Sequence, residues 1–500
     1  MSEQELERGA AQEPADQQRV TLKRGTEVVL RAESAAFEGG CVARHEGMAV
    51  FVSGCVPGDL VRAMVTKGKK KYAEARTIEM LERSTDRVVP VCRYFGTCGG
   101  CKWQSLRYEE QIRWKRQHVV DAFERIGGLE GVEVHGSIGC REEYFYRNKM
   151  EFSFGAQRWL TDQEVASGEE FSRDFALGLH VPGRYDKVLD IDRCWLQSDT
   201  SVRIVNSTRE FVRRLEIPVY NTHQHEGVLR NLVVRQSRAT GEIMVILVTA
   251  GEEEEWIGSY ADHLRSAVPE VTTLVQGINR KKAQIAFSEE TRTLYGPGTI
   301  TEEVAGNRFT ISPFSFFQTN SLQAERLYTE ALEAAAITSE EIVWDLYCGA
   351  GTITLAAARG ARSAIGIELN EGAILDARAN AVRNGIENVR FVVGDLKDTL
   401  NRDRAGQRIP EEQRSETDHP ILPQPDVVIV DPPRAGMHED VVQRLLELAP
   451  RRIVYVSCNP TTQARDCKIL AEAYRIEYVQ PVDMFPQTYH VETVAKLERR

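Results

Sequence analysis

The sequence predicts a multidomain chain: a small β-barrel, then a mixed α+β domain with a cysteine cluster, then an α/β domain built on a parallel sheet. Three observations carry this. Between residues 19 and 83 short alternating apolar runs are broken by Gly, Pro and Ser, the pattern of small barrels. Cys92, Cys98 and Cys101 fall within ten residues. From Glu341 onward strand-like and helix-like runs alternate, which is how a parallel sheet is wound.

Composition narrows the class. Hydrophobic residues make up 42% of the 500 residues, enough for proper cores. No apolar run reaches the ~18 residues of a membrane span, so no membrane partner is expected. Residues 1–18 are polar, lack the apolar segment of a secretory signal and read as a disordered tail. A cytoplasmic protein is therefore expected, and a monomer. Its 10 cysteines are expected to be mostly reduced, so a tight cysteine cluster points to a metal or redox site rather than to disulfides. The net charge of −11 does not by itself point to nucleic acid, but phosphate binding needs only local basic surface. Two candidates are Lys67, Lys69, Lys70 and Lys71 beside Tyr72, and Arg107, Arg113, Lys115 and Arg116 around Trp114. An ordinary solvated face is the alternative for both.

Residues 19–83 contain the runs Glu27–Leu30, Gly40–Ala43, Met48–Phe51, Leu60–Thr66 and Ala73–Leu81, with a strong turn at Val56-Pro57-Gly58-Asp59. Small open barrels of this kind often bind single-stranded nucleic acid. The pattern resembles the TRAM domain, an RNA-binding barrel of RNA-modifying enzymes. Cys41 and Cys55 match no metal spacing and read as barrel packing.

Residues 84–320 form the mixed α+β domain. In Cys92-x5-Cys98-Gly-Gly-Cys101 the glycines let the backbone fold tightly, so that amides approach the sulfurs of an iron–sulfur cluster. A fourth ligand must come from elsewhere, and Cys140 and Cys194 are nearest. A four-cysteine zinc site and unliganded packing are the alternatives. In Phe314-Ser-Phe-Phe-Gln-Thr-Asn320 three aromatics precede Gln318. This is either a stapled helix start or a glutamine aimed into a site.

Residues 321–500 carry the chemistry. Segment 401–425 is charged, Pro-bearing and aperiodic, and reads as a flexible insertion. Asp345-x-Tyr347-Cys-Gly349-Ala-Gly351 follows a strand and opens a helix, with Glu368 ending the second strand and Asp395 the third. Close backbone approach at glycines plus a carboxylate on ribose hydroxyls is how such folds hold a nucleoside. The third glycine of a dinucleotide fingerprint is missing, which favours S-adenosylmethionine over NAD. Asp431-Pro-Pro-Arg434 lies beside that pocket; an arginine after the prolines suits a phosphate rather than a stacked base.

Cys458, in Val456-Ser-Cys-Asn-Pro460, sits at the end of the neighbouring strand. Carbon 5 of uracil is a poor nucleophile; a thiolate added to carbon 6 makes an enolate that takes a methyl group. A base must then remove the carbon 5 proton, and Glu492 is the candidate. The bland readings are a packed cysteine and a surface strand glutamate.

Together these motifs resemble the RNA 5-methyluridine methyltransferase family. The resemblance runs from about residue 20 to 500 through C-x5-C-G-G-C, FSFFQTN, DLYCGAG, DPPRAG, VSCNP and DMFPQTYHVETV. It implies Cys458 as nucleophile, Glu492 as proton acceptor, and Gln318, Tyr347, Glu368 and Asp431 at the S-adenosylmethionine pocket. It implies a 4Fe–4S cluster on Cys92, Cys98, Cys101 and Cys194. Barrel plus cluster looks most similar to the branch acting on 23S ribosomal RNA, with transfer RNA as the alternative. The target base is expected to flip out of its stack. A DNA cytosine methyltransferase places its cysteine differently relative to proline, a non-catalytic RNA-binding protein would not need both Cys458 and Glu492, and a radical enzyme needs an open iron.

Overall fold

The computed structural model describes residues 22–282, 286–394, 396 and 422–500. The predicted tail 1–18, nearly all of the insertion 401–425, and Asp395 lie outside the described residues. Two compact units are present, one up to Arg87 and one from Val88.

In the first unit six strands form one sheet, from Glu27–Arg31 at one edge to Ser34–Ala35 at the other, with Tyr72–Glu82 and Met48–Ser53 pairing in parallel at its centre. Alternation puts Val28, Leu30, Val50, Val52, Val61 and Val65 inside. Cys41 and Cys55 are buried, and the Cys41 thiol meets the Cys55 carbonyl at 3.3 Å, so they pack as expected. The predicted turn is held by Asp59, which is wholly buried. Its carboxylate accepts from the amides of Val56 (2.7 Å) and Ser84 (2.9 Å) and from the Arg87 guanidinium (2.6 Å).

The second unit has two large sheets. Eight strands, Lys149–Gly155 and Leu229–Gln236 central among them, pack against the helices Asp199–Arg214 and Glu254–Ala267 through Phe211, Tyr260 and Leu264. The C-terminal sheet has the order Val389–Val393, Ser363–Glu368, Ile342–Leu346, Val427–Val430, Arg452–Ser457, Glu492–Arg499, Tyr474–Val482. Its first five strands are parallel; Glu492–Arg499 runs antiparallel between Arg452–Ser457 and Tyr474–Val482. This is the expected doubly wound α/β topology.

Three features depart from the sequence reading. The helix Tyr108–Asp121 and its π-helical extension Ala122–Gly127 pack on the C-terminal sheet, where Val119, Ala122 and Phe123 join Tyr455, Cys467 and Val479 in one core. Lys115 on that helix belongs to no basic surface: its side chain is fully buried and paired with Asp483 at 2.5 Å. A helix, Pro460–Leu470, follows Cys458. Asn459 caps it and Pro460 opens it, because a proline that stops a strand also suits the first turn of a helix.

Burial pushes the Asp59 carboxyl up, but the hydrogen bonds from Arg87, Ser84 and Val56 outweigh it and hold the group below its ordinary value. Its contribution to stability is present above the ordinary carboxylate pKa and is lost as pH falls through the lowered one. Asp59→Ala is expected to destabilise the first unit by about 3–5 kcal/mol, seen as an earlier thermal transition at neutral pH. An unchanged transition would remove Asp59 from the barrel's support.

Candidate active site

The strand Ile342–Leu346 runs straight into the loop 347–351, where Tyr347, Gly349 and Gly351 all have positive φ (63°, 53° and 81°). At Gly351 a Cβ would stand 2.9 Å from the Phe391 ring, so only glycine fits. The Gly349 amide and the Asn370 amide donate to the two oxygens of Glu368 at 3.2 and 2.9 Å. The loop is thus folded back over the end of the second strand, as the motif predicts.

Asp345 lies under this loop, 1% exposed. One of its oxygens accepts from the Thr354 hydroxyl at 2.5 Å; the other, Oδ1, is buried and has no hydrogen-bond partner among the described residues. Burial pushes its carboxyl up to about 7. An orphaned acceptor beside a glycine loop is a place for a ligand's donor group.

Asp431 ends the next strand, and burial pushes it to about 7 also. The turn it opens is tied to the cysteine: Asn459 Nδ2 donates to the Arg434 carbonyl at 3.1 Å. Cys458 follows Ser457, which pairs with Thr493 across the antiparallel strands. Continued by one step, that register sets Cys458 opposite Glu492. The Thr493 hydroxyl locks the pair by bridging the Ser457 carbonyl (3.1 Å) and Gln463 (2.8 Å).

The electrostatics follow from this crowding. Burial pushes Glu492, 7% exposed, up to about 8, with Asp431 adding to the rise and Arg434 opposing it. Burial likewise pushes Cys458 up to about 11, with Glu492 and Asp431 adding and Arg434 opposing. The dipole of the helix Pro460–Leu470, starting two residues on, also favours a thiolate. Burial raises the Tyr328 hydroxyl, with Asp431, Asp345 and Glu492 adding to the rise and Gln318 opposing it. Asn320 caps the helix Ser321–Ala335, so the aromatic stretch is a helix start.

Gln318, Tyr347, Gly349, Gly351, Glu368, Asp431, Cys458 and Glu492 therefore gather at one sheet edge. Sequence reasoning missed Tyr328, which reads as a core aromatic on its helix, and His490. Burial pushes His490 down to about 4, with Arg434, Lys115 and Arg147 adding to the fall.

A second constellation lies apart. Cys92, Cys98, Cys101 and Cys194 line one cavity of about 280 Å³ together with Tyr94 and Gln104. Cys140, the other candidate, is engaged elsewhere, by Tyr108, Glu142 and Asn320. Burial raises each of the four thiols, Cys101 to about 12 and Cys194 to about 11, and neighbouring thiols in the set raise Cys98, Cys101 and Cys194 further. Among the described residues no three His, Cys, Asp or Glu side chains stand gathered for a metal ion; the four thiols are spread around their cavity instead.

Known proteins share this layout. Residues 236–500 match the family described as tRNA (Uracil-5-)-methyltransferase, and residues 22–78 match the TRAM domain. An uncharacterized RNA methyltransferase of Bacteroides thetaiotaomicron is 44% identical over 93% of this chain and 100% of its own length. Another, from Chlorobaculum tepidum, is 42% identical over 97% of this chain and 99% of its own length. The crystal structure of Pyrococcus abyssi tRNA (uracil-54, C5)-methyltransferase with S-adenosyl-L-homocysteine aligns with a TM-score of 0.69 at 29% identity, covering 94% of this chain and 100% of that one. With a matching family pattern over half its length, full-length relatives and the expected sheet edge, the chain belongs to the RNA uracil-5-methyltransferase family and carries a TRAM domain.

Proposed function

We propose that this chain methylates carbon 5 of one specific uridine in RNA through a covalent Cys458–uracil adduct, with S-adenosylmethionine as methyl donor. The observation that carries the reading is the strand register that sets Cys458 opposite Glu492. The Cys458 thiolate bonds to carbon 6, and the electron pair of the 5,6 double bond moves to the carbonyl oxygen as an enolate. S-adenosylmethionine, when bound, supplies the methyl group that carbon 5 takes. Glu492 then accepts the carbon 5 proton, the carbon–sulfur bond breaks, and the thiolate leaves. Gln318, Tyr347, Gly349, Gly351, Glu368 and Asp431 would hold the donor, and the orphaned Asp345 oxygen supports such an occupant. Asp395 keeps its proposed place there on sequence grounds.

We assign the TRAM unit (19–83) to RNA binding, residues 84–320 to a cluster-bearing part and 321–500 to methyl transfer. The reading of Cys92, Cys98, Cys101 and Cys194 as ligands of a 4Fe–4S cluster rests on their motif and on their lining one cavity, where they would hold the irons through their sulfurs. Because methyl transfer from a sulfonium needs no electron, its role is structural or RNA-positioning. Barrel and cluster together favour 23S ribosomal RNA as substrate. The likeness to a transfer RNA enzyme over 94% of the chain favours transfer RNA as the second reading; mapping 5-methyluridine in total RNA with and without the protein decides between them.

Glu492→Gln is expected to leave RNA joined to the protein on denaturing gels, because elimination is blocked, whereas Cys458→Ala gives neither adduct nor product. An absent adduct with normal turnover in Glu492→Gln would remove Glu492 from the reaction. Glu492 must be ionised to accept a proton, so below its value of about 8 the ionised fraction falls about tenfold per pH unit. Decay of the preformed methylated adduct is therefore expected to quicken with pH up to about 8 and then level; a flat profile would contradict the assignment. Finally, Cys194→Ser is expected to lose bound iron in a colorimetric assay and Cys140→Ser to keep it. Equal iron in the two would exclude Cys194 as the fourth ligand.

A further inference from the structure

The loop of residues 483–491 joins the last two strands and delivers Glu492, which pairs with Val482 across it. Gln487 is the loop's most constrained residue. It is 2% exposed and has φ 68°, a left-handed conformation that a non-glycine residue adopts only when its surroundings impose it. Here they do. Its carbonyl accepts from two consecutive amides, Lys102 at 2.9 Å and Trp103 at 3.0 Å. These are the residues immediately after Cys101. Its own amide donates to Gln111 Oε1 at 2.9 Å, and Gln111 Nε2 donates back to Gln487 Oε1 at 3.0 Å. Gln111, 1% exposed, also donates to the carbonyls of Trp103 (3.1 Å) and Leu106 (2.8 Å). The next residue back, Pro486, accepts from the buried Tyr146 hydroxyl at 3.0 Å.

The other side of the same clamp reaches the thiol cavity. Gln104 accepts from the Cys92 amide at 3.2 Å and lines the same cavity as Cys101. Residues 101–104 are therefore held at one end by the four-thiol cavity and at the other by the loop that carries His490 and Glu492.

We propose that Gln487 is a positioning residue: through it, the cysteine loop sets the place of Glu492 for proton removal, so that the state of the four-thiol cavity is felt at the elimination step. This rests on the reading of Glu492 as the base. Cys458 is flanked by the strand Arg452–Ser457 and the helix Pro460–Leu470, neither of which is bonded to Gln487, so the clamp is expected to act mainly on the second half of the reaction.

The test uses the full chain with its RNA. Gln487→Gly keeps the backbone links and suits the positive φ, but removes the side-chain bond from Gln111 Nε2. It is expected to form the Cys458 adduct at nearly the wild-type rate, to keep its melting temperature, and to resolve the adduct about 10–100-fold more slowly. Gln111→Met, which removes that bond and also the one from the Gln487 amide, should do likewise. Adduct decay at the wild-type rate in both variants would overturn the positioning role, and so would equal loss of addition and elimination. Hydrogen exchange supplies a readout apart from activity: Cys101→Ser should speed exchange at amides 483–491 by about tenfold. Unchanged exchange there would sever the cavity from the loop. Because that measurement needs no chemistry, it still judges the clamp if Glu492 proves not to be the base.

Discussion

A single ion pair without water around it holds the second unit together at its working edge. Lys115 and Asp483 are both fully buried, and each would be destabilising alone. They are tolerated because each has further hydrogen-bond partners. Lys115 also donates to the Phe485 carbonyl at 3.1 Å, and Asp483 accepts from Tyr108 at 2.8 Å and from the Phe485 amide at 3.0 Å. Burial pushes the ammonium down in pKa while the aspartate opposes it. Such a pair is directional in a way that apolar packing is not. It fixes where the loop after Val482 begins, and hence where the strand starting at Glu492 can lie.

The active-site edge uses the same physics differently. Asp345, Asp431 and Glu492 are carboxyls raised by burial to near neutrality or above, close enough that Asp431 raises the other two further. Arg434 is the cation that opposes this rise at both Glu492 and Cys458. An arginine is the fitting choice, since it stays charged whatever its surroundings do. Burial thus keeps the Cys458 thiol protonated at neutral pH and brings the Glu492 carboxyl to titrate at about 8.

Much of this was legible in the sequence, for definable reasons. The winding of the C-terminal sheet shows because each strand is an apolar run ended by Gly, Asp or Pro, and the glycine loop shows because Gly351 has no room for a side chain. The opposition of Cys458 and Glu492 was not legible, since register between distant strands leaves no local mark; their roles came through family resemblance. Lys115 was misplaced because its neighbours Arg113 and Arg116 are charged, and local composition does not report a partner hundreds of residues away. The helix after Cys458 leaves little mark, because Asn459-Pro460 signals the end of a strand as readily as the start of a helix. Gln487 left no trace, as its left-handed backbone is imposed by contacts.

The early helix that packs on the late sheet has a consequence for how the molecule is made. His135 stacks on Tyr478, and its ring meets Gln480, 345 residues further along. Val134 and Ile138 bridge to Val479 and Val482 nearby. This seam closes only after residues 478–482 have been made, so the apolar side of the early helix waits uncovered while the residues between are synthesised. Closing so long a span adds little entropy beyond a shorter one, because the penalty grows with the logarithm of length, but it makes folding non-local and slow. A boundary drawn at residue 320 would separate the two sides of one core, leaving Val119 and Phe123 bare on one fragment and Tyr455 and Val479 bare on the other.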